Sequence, residues 1–384
     1  MIRIESKDNC CGCTACEAVC PKDAITMIPD SLGFKYPKVD LGKCIDCDLC
    51  VKVCQFKIDY DRSDNLLNSL SYGVRHKKIE EVATSRSGAA FVALSDKILE
   101  KNGVVYGVIL DSAFIVRHIR ACNKLERDRM KGSKYVQSDL EGIFRQVKND
   151  LMAGFNVLFS GTPCQIAGLK SYIGKKIGEN LYTVDIVCHG VPSPYVWKDY
   201  LLWLKEKWNC EITKVDFRDK SFGWFAHKES YLTNKGKKYC NSFTRAFYKH
   251  LIIRDSCEIC PYANPHHPAD ITLADFWGWQ RNDAEWNKDD MGLSLVLVNS
   301  VKGKQLFEAA SECIEMKQYP LENCMQNQMK QPIKLNTRFK EFQKDYEKHG
   351  VEYTMKKFGC VGFKHNLYNI CSDIKSKLRI ALSK

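Results

Sequence analysis

The chain has 384 residues, with 58 Lys and Arg against 46 Asp and Glu, and 20 cysteines. That length allows two or three domains with a full core, and no stretch approaches the roughly 20 apolar residues of a membrane span. The first residues, MIRIESKDNCCGC, hold no apolar signal region, so a cytoplasmic location is expected, and in that reducing compartment the cysteines are not a disulfide framework. Charge is unevenly placed. Residues 1–60 carry 8 Lys and Arg against 9 Asp and Glu, whereas residues 334–384 carry 12 against 5. A solvated basic surface is the ordinary reading of that tail; peripheral contact with an acidic partner or an anionic membrane is the alternative. No nucleic-acid-binding motif is present.

Nine of the 20 cysteines lie between Cys10 and Cys54. Cys10-x2-Cys13-x2-Cys16-x3-Cys20-Pro21 is followed by a second copy, Cys44-x2-Cys47-x2-Cys50-x3-Cys54. Three thiolates two residues apart wrap a loop around three irons of a cubane, and the fourth, one turn further on, ligates the other cluster. The expected ligand sets are therefore Cys10, Cys13, Cys16 and Cys54 for one [4Fe–4S] cluster, and Cys44, Cys47, Cys50 and Cys20 for the other. Zinc prefers paired knuckles to triplets with an offset fourth ligand. Gln55 stands where a proline is expected after the second run, and Cys11 has no assigned role.

Residues 57–72 are polar, without a clear period, and read as a linker. Strand and helix signals then alternate. Val104–Leu110 reads as a strand. Ser138 to Glu141 reads as a capping box opening a helix that Gly154 ends. Asn156–Gly161 is an apolar strand, followed by a second capping box, Thr162-Pro163-Cys164-Gln165, with Pro163 at the first helical position. Tyr182–Cys188 is a strand, and Ser193-Pro194 starts an apolar helix through Trp197, Leu201, Leu204 and Trp208. Shorter strands follow from Ile212 to Lys238, with a turn at Asn234-Lys235-Gly236. Leu293–Asn299 reads as a strand, Lys302–Met316 as a helix, residues 337–357 as a charged helix and Leu367–Leu382 as a weakly amphipathic segment.

The expected architecture is an α+β ferredoxin-like module (1–56), a linker (57–72), a larger α/β domain with a mostly parallel sheet (73–300), and a basic, helical C-terminal extension (301–384).

Four further cysteines stand out. Cys164 lies in the first turn of a helix, where backbone N–H groups and the helix dipole lower a thiol pKa. Cys188 ends the next strand, and Cys257-x2-Cys260-Pro261 is a knuckle. Consecutive parallel strands end side by side, which brings Cys164 near Cys188 with the knuckle over them. A third [4Fe–4S] cluster is the favoured reading; zinc on Cys257, Cys260 and His266 or His267, or plain packing, stays open.

Residues 84–195 also contain Ser85-Arg86-Ser87-Gly88-Ala89, Gly132-Ser133-Lys134-Tyr135-Val136-Gln137-Ser138, Gly161-Thr162-Pro163-Cys164-Gln165 and Cys188-His189-Gly190-Val191-Pro192. The knuckle is followed by Ala269-Asp270-Ile271 and Asp275-Phe276-Trp277-Gly278. Over roughly residues 1–285 this order of motifs resembles the beta subunit family of coenzyme F420 hydrogenases and dehydrogenases, which includes hydroxymethyl chlorophyll reductase. The resemblance implies an FAD-binding oxidoreductase fed by iron–sulfur clusters, with a ferredoxin or another redox protein as electron donor and a small organic substrate. An electron-transfer subunit docking on a catalytic partner is the alternative. Carried over, Ser87 and Gly88, the segment Gly132, Ser133, Lys134, Tyr135 and Gln137, and Thr162, Pro163 and Gln165 would contact the flavin. His189 and Asp275 are candidates for proton delivery beside it. The chain departs from the family pattern at Ala89, where relatives have glycine, and at Ala274 before Asp275. No GxGxxG or Walker motif is present.

Overall fold

The computed structural model describes residues 1–58 and 63–362. The cysteine-rich start folds as α1 (Ala15–Val19), a hairpin of β1 (Ile25–Pro29) and β2 (Lys35–Val39), and α2 (Leu49–Lys52). Its own apolar core is small: Ile2, Ile25 and Cys50 are buried in it.

The chain then enters β3 (Asn65–His76), α3 (Ile79–Thr84), α4 (Ala90–Leu99), β4 (Val104–Leu110), β5 (Val116–Ala121), α5 (Lys124–Asp128) and α6 (Ile143–Met152). There follow β6 (Val157–Ser160), α7 (Pro163–Ile177), β7 (Leu181–Ile186), α8 (Pro194–Trp208), β8 (Ile212–Asp216), β9 (Ser230–Thr233), β10 (Gly236–Tyr239) and α9 (Ser242–Tyr248). Last come β11 (Ile271–Asp275), β12 (Ser294–Ser300), α10 (Val301–Ala309), β13 (Ile314–Tyr319), α11 (Leu321–Cys324) and α12 (Phe339–Lys357).

The main sheet has eight strands in the order β13-β3-β12-β11-β7-β6-β4-β5. Its centre, β11-β7-β6-β4, is parallel, and every other pairing is antiparallel. The sheet is therefore mixed around a parallel centre rather than mostly parallel. Strand side chains alternate between faces. Val105 and Leu158 pack with Ala93, Leu94 and Phe307 of α4 and α10, while Tyr106, Val157 and Phe159 pack with Phe144, Val147 and Leu169 of α6 and α7. A separate apolar lobe joins Trp197, Tyr200 and Leu204 of α8 to Phe243 and Phe247 of α9 and to Phe342 and Met355 of α12.

Several sequence-based expectations shift. Residues 65–72, read as linker, belong to β3, which is held on both sides by β12 and β13; a long polar stretch becomes strand when two neighbours supply its ladder. The Ser138 capping box opens no helix. Ser138 Oγ accepts from Gln165 Nε2 at 3.0 Å, and α6 starts five residues later, after Gly142. The helix expected over 302–316 stops at Ala309, and Ile314 to Tyr319 form an edge strand against β3. The charged helix is present as α12, broken at Gly350, where φ is 75°. The segment Leu367–Leu382 lies outside the described residues. No helix among those described is long and apolar enough to cross a membrane.

Candidate functional site

Sulfur gathers in three places. In the first, burial pushes the Cys16 thiol pKa up, and the nearby Cys13, Cys10 and Cys54 thiols add to the rise. Burial likewise raises Cys54, with Cys13 and Cys10 among its neighbours. Cys54 belongs to the second run in sequence but meets the first three thiols in space, which is the crossover the spacing implies. In the second place, Cys20, Cys44, Cys47 and Cys50 line one small pocket between α1, the end of β2 and α2. Both runs turn through left-handed residues, Gly12 and Thr14 in the first, Asp46 and Asp48 in the second, so the two loops share a backbone path.

The third gathering is built by the sheet. Cys164 follows the carboxyl end of β6 in the first turn of α7, and Cys188 follows β7. Burial raises Cys188, and Cys257, Cys164 and Cys260 all act on it. Burial likewise takes Cys257 and Cys260 up to about 12. Four half-buried thiols without carboxylates suit a soft metal or an iron–sulfur cluster better than a hard cation. Among the described residues no three His, Cys, Asp or Glu side chains form a group that could hold a metal ion. A cubane presents four separate irons, so its thiolates stand further apart than those around one ion.

Cys11, unassigned by the spacing, joins the first and third sites. Its buried thiol is in hydrogen-bond contact with Cys13 and Cys164, and that contact is the main cause holding Cys13 down to about 7 and Cys164 below its ordinary value. Gln55, the departure from proline, is buried beside it. Its Nε2 donates to Cys11 Sγ at 3.1 Å and to the Cys164 carbonyl at 2.5 Å, and its Oε1 accepts from Tyr262 Oη. A proline could make none of these bonds. Helix α7 also lies close to this loop: a Cβ on Gly168 would come within 2.6 Å of Cys13 Sγ. Cys11 between two ligands, and glutamine in place of proline, were the available sequence signals.

A cavity of about 1140 Å³ opens at the carboxyl edge of the parallel strands, with Cys188 and His189 in its wall. The first turns of α4 and α7 line it through Ala90, Phe91 and Gln165, and helix starts favour anions. Of the residues expected at a flavin, Ser87, Gly132, Ser133, Lys134, Tyr135, Thr162 and Gln165 line the cavity; Gly88, Gln137 and Pro163 do not. The reasons are local. A Cβ on Gly88 would lie 2.1 Å from the Val74 carbonyl oxygen, so this glycine lets its turn rest on β3. Gln137 Nε2 donates to the Cys11 carbonyl at 2.9 Å, towards the first sulfur site. Pro163 is buried at the start of α7, where Gln165 Oε1 accepts from the Thr162 N–H at 2.9 Å in the expected capping box.

Two lining side chains are engaged elsewhere. Ser87 Oγ donates to the Leu293 carbonyl at 2.6 Å, and Lys134 Nζ donates to the carbonyls of Met130 and Lys131 at 2.6 and 2.8 Å. Burial lowers Lys134 to about 7. Arg86 lines the cavity with its Nε buried and unpartnered, and burial lowers it to about 10. That free donor, with the two helix starts, fits an anionic group such as a pyrophosphate. Ala89 caps α4 at φ 62°, a left-handed conformation. Glycine adopts that conformation freely, and alanine tolerates it at a cost.

The proton-delivery candidates differ. Burial opposes ionisation of Asp275, but Arg218 and then Arg86 outweigh it and hold the carboxyl below its usual value. Arg218 hydrogen-bonds one oxygen and Trp224 Nε1 donates to the other at 3.3 Å. It is a paired carboxylate that fixes this wall. His189 is hydrogen-bonded through Nε2 to His250 Nε2 at 2.9 Å and through Nδ1 to Gln328 at 2.7 Å. Burial lowers it to about 4, so it is neutral near pH 7. Tyr248 meets the His189 ring edge-on at 5.3 Å, Phe225, His227 and Trp277 also line the cavity, and Trp277 stacks on Trp224 at 4.7 Å.

Comparison with known proteins agrees with these features. Residues 9–58 match a 4Fe-4S dicluster domain, and residues 155–322 match the C terminus of the coenzyme F420 hydrogenase/dehydrogenase beta subunit. The second match runs beyond residue 285, through β12, α10 and β13. No curated protein matches. Among solved structures the chain is similar to a chain of the F420-reducing [NiFe] hydrogenase complex from Methanosarcina barkeri, studied by xenon derivatisation. Identity is 16% and the TM-score 0.45, over 78% of this chain and 94% of that one.

Proposed function

Because the chain joins a 4Fe-4S dicluster domain to a domain of the coenzyme F420 hydrogenase/dehydrogenase beta subunit family, we propose that it is an iron–sulfur flavoprotein oxidoreductase. The observation that carries this is the sequence of sites in space. Two thiol quartets lie in the dicluster domain, Cys11 joins one of them to a third quartet, and Cys188 of the third stands in the wall of the large cavity. Bound clusters would carry electrons one at a time, and a flavin would pair them for hydride-type chemistry on a small organic substrate.

The residues have separable tasks in this reading. Cys20, Cys44, Cys47 and Cys50 would hold the outer cluster, on the side where a ferredoxin or a similar redox protein would donate. Cys10, Cys13, Cys16 and Cys54 would hold the next, and Cys164, Cys188, Cys257 and Cys260 the third. Arg86, with the starts of α4 and α7, binds the anionic part of the flavin, and the aromatic wall around Trp277 bounds the space left for substrate. Neutral His189 would relay a proton through its Nε2 bond to His250, while Asp275, ionised and paired, positions Arg218.

The test is anaerobic purification with iron, sulfide and flavin counted per chain, followed by reduction with a ferredoxin. About twelve irons and one flavin that reduces through the clusters are expected. A flavin-free protein would sink the reading. Turnover only after a second subunit is added would replace it with that of an electron-transfer subunit.

A further inference from the structure

Among the described residues three arginines are almost fully buried: Arg127, Arg218 and Arg254. A buried charge is normally paired. Arg127 pairs with Asp96 and Asp128, and Arg218 pairs with Asp275. Arg254, with no exposed surface, makes no ion pair with a carboxylate among the described residues. Every polar partner of its guanidinium is neutral or sulfur. Nε donates to the Cys10 carbonyl at 2.8 Å, one terminal nitrogen to Gln137 Oε1 at 3.0 Å, and the other to the Lys35 carbonyl at 2.9 Å and to Cys10 Sγ at 3.7 Å. The Tyr36 ring covers it at 4.3 Å and the Phe34 ring at 5.4 Å.

The first cysteine run is shaped around this group. Gly12 has φ 71°, and a Cβ there would come within 3.0 Å of the guanidinium. The backbone of Arg254 belongs to the other sulfur site: its N–H donates to the Val191 carbonyl at 3.1 Å, and its carbonyl accepts from the Cys257 N–H at 3.0 Å. One side chain thus spans from the third thiol quartet to the first.

We infer that Arg254 is the counter-cation of the cluster held by Cys10, Cys13, Cys16 and Cys54, a positioning residue that raises the reduction potential of that cluster and ties it to the third site. The inference rests on the proposed iron–sulfur function. The missing carboxylate is explained because four thiolates and their cluster carry the compensating negative charge. An added electron makes the cluster more negative, and a buried cation hydrogen-bonded to its ligand sulfur stabilises the reduced form. Lysine would keep the charge but lose the fork that holds Cys10, Gln137 and Lys35 together.

The experiment is an EPR-monitored redox titration of the full-length protein, wild type against Arg254→Gln and Arg254→Lys, with iron counted in each. Arginine is labelled with 15N in its guanidinium only, and the first cluster is identified in pulsed EPR by the strongest nitrogen hyperfine coupling, because Arg254 reaches the ligand sulfur of Cys10 whereas Arg145 reaches only the Cys20 carbonyl. For Arg254→Gln the equilibrium constant for reducing that cluster should fall tenfold or more, a midpoint at least about 59 mV lower. Arg254→Lys should lie between, and the cluster on Cys20, Cys44, Cys47 and Cys50 should not move. Full iron with an unchanged midpoint in Arg254→Gln overturns the inference. If both variants lose the cluster, the labelled wild type decides: nitrogen coupling supports the inference and its absence overturns it. A wild-type protein with fewer than about eight irons instead breaks the functional reading beneath it.

Discussion

The cysteine module and the sheet domain hold sulfur in opposite ways. In the module, eight ligand candidates come from 45 residues whose spacing already dictates which thiols meet, and the surrounding apolar core is little more than Ile2, Ile25 and Cys50. In the sheet domain, Cys164, Cys188, Cys257 and Cys260 are separated by up to 96 positions (260 − 164) and meet only because β6 and β7 are parallel neighbours and the knuckle folds over their ends. Extensive cores support that domain on both sheet faces. A local site can be read as a motif, and with so small a core its fold is expected to depend on its metal. A site assembled by a sheet shows in sequence only as scattered cysteines whose meeting depends on strand order, and its extensive cores are expected to hold the fold without the metal.

Removing iron is the strongest way to break the comparison. Chelation under reducing conditions should unfold residues 1–58 while the sheet keeps its amide protection, as seen by hydrogen exchange with mass spectrometry. Loss of protection in both regions would mean that the two are not independent in this sense. In the complementary direction, Cys257→Ser combined with Cys260→Ser should remove about four of about twelve irons and leave the module's EPR signals in place.

Packing changes come next. Gly88→Ala places a methyl on the Val74 carbonyl oxygen and should cost about 3 kcal/mol, read as a lower melting temperature of the sheet domain with the iron content unchanged.

The sheet domain also carries its own pH dependence. Burial holds His118 neutral, with its pKa lowered to about 4, against about 6.5 in an unfolded chain. Between those values the unfolded chain binds the proton and the folded chain does not. Stability therefore falls as pH drops from about 6.5 to about 4 and gains no further loss from this residue below that. The slope is up to about 1.4 kcal/mol per pH unit. His118→Asn should flatten it, measured as the difference in melting temperature across that window. The smallest effect expected is a gain: Ala89→Gly relieves the left-handed cap of α4 and should add about 1 kcal/mol.

The sequence was most informative where chemistry is local. Pro163 and Gln165 marked the start of α7, and Ser193 and Pro194 the start of α8, because caps are satisfied within one turn. Reading failed where a segment's state depends on distant partners. Residues 65–72 look like linker but lie between β12 and β13, and residues 314–316 continue a helical pattern but pair with β3. Within the site, Ser87, Tyr135 and Thr162 were placed at the cavity through the resemblance, whereas Gln137 turned out to serve the sulfur loop. Nothing in its segment distinguishes those two directions.

The paired cysteine runs by themselves marked the 4Fe-4S dicluster domain and the two ligand sets proposed for it, since a thiolate's reach along a short loop depends on residue spacing. The third thiol quartet was expected from strand order and the knuckle, but the joining position of Cys11 and Gln55, the ionised pairing of Asp275 and the unpaired burial of Arg254 were decided only by the tertiary structure. Each depends on which groups the parallel sheet brings together and which it shields from water, and neither is encoded in any one stretch of chain.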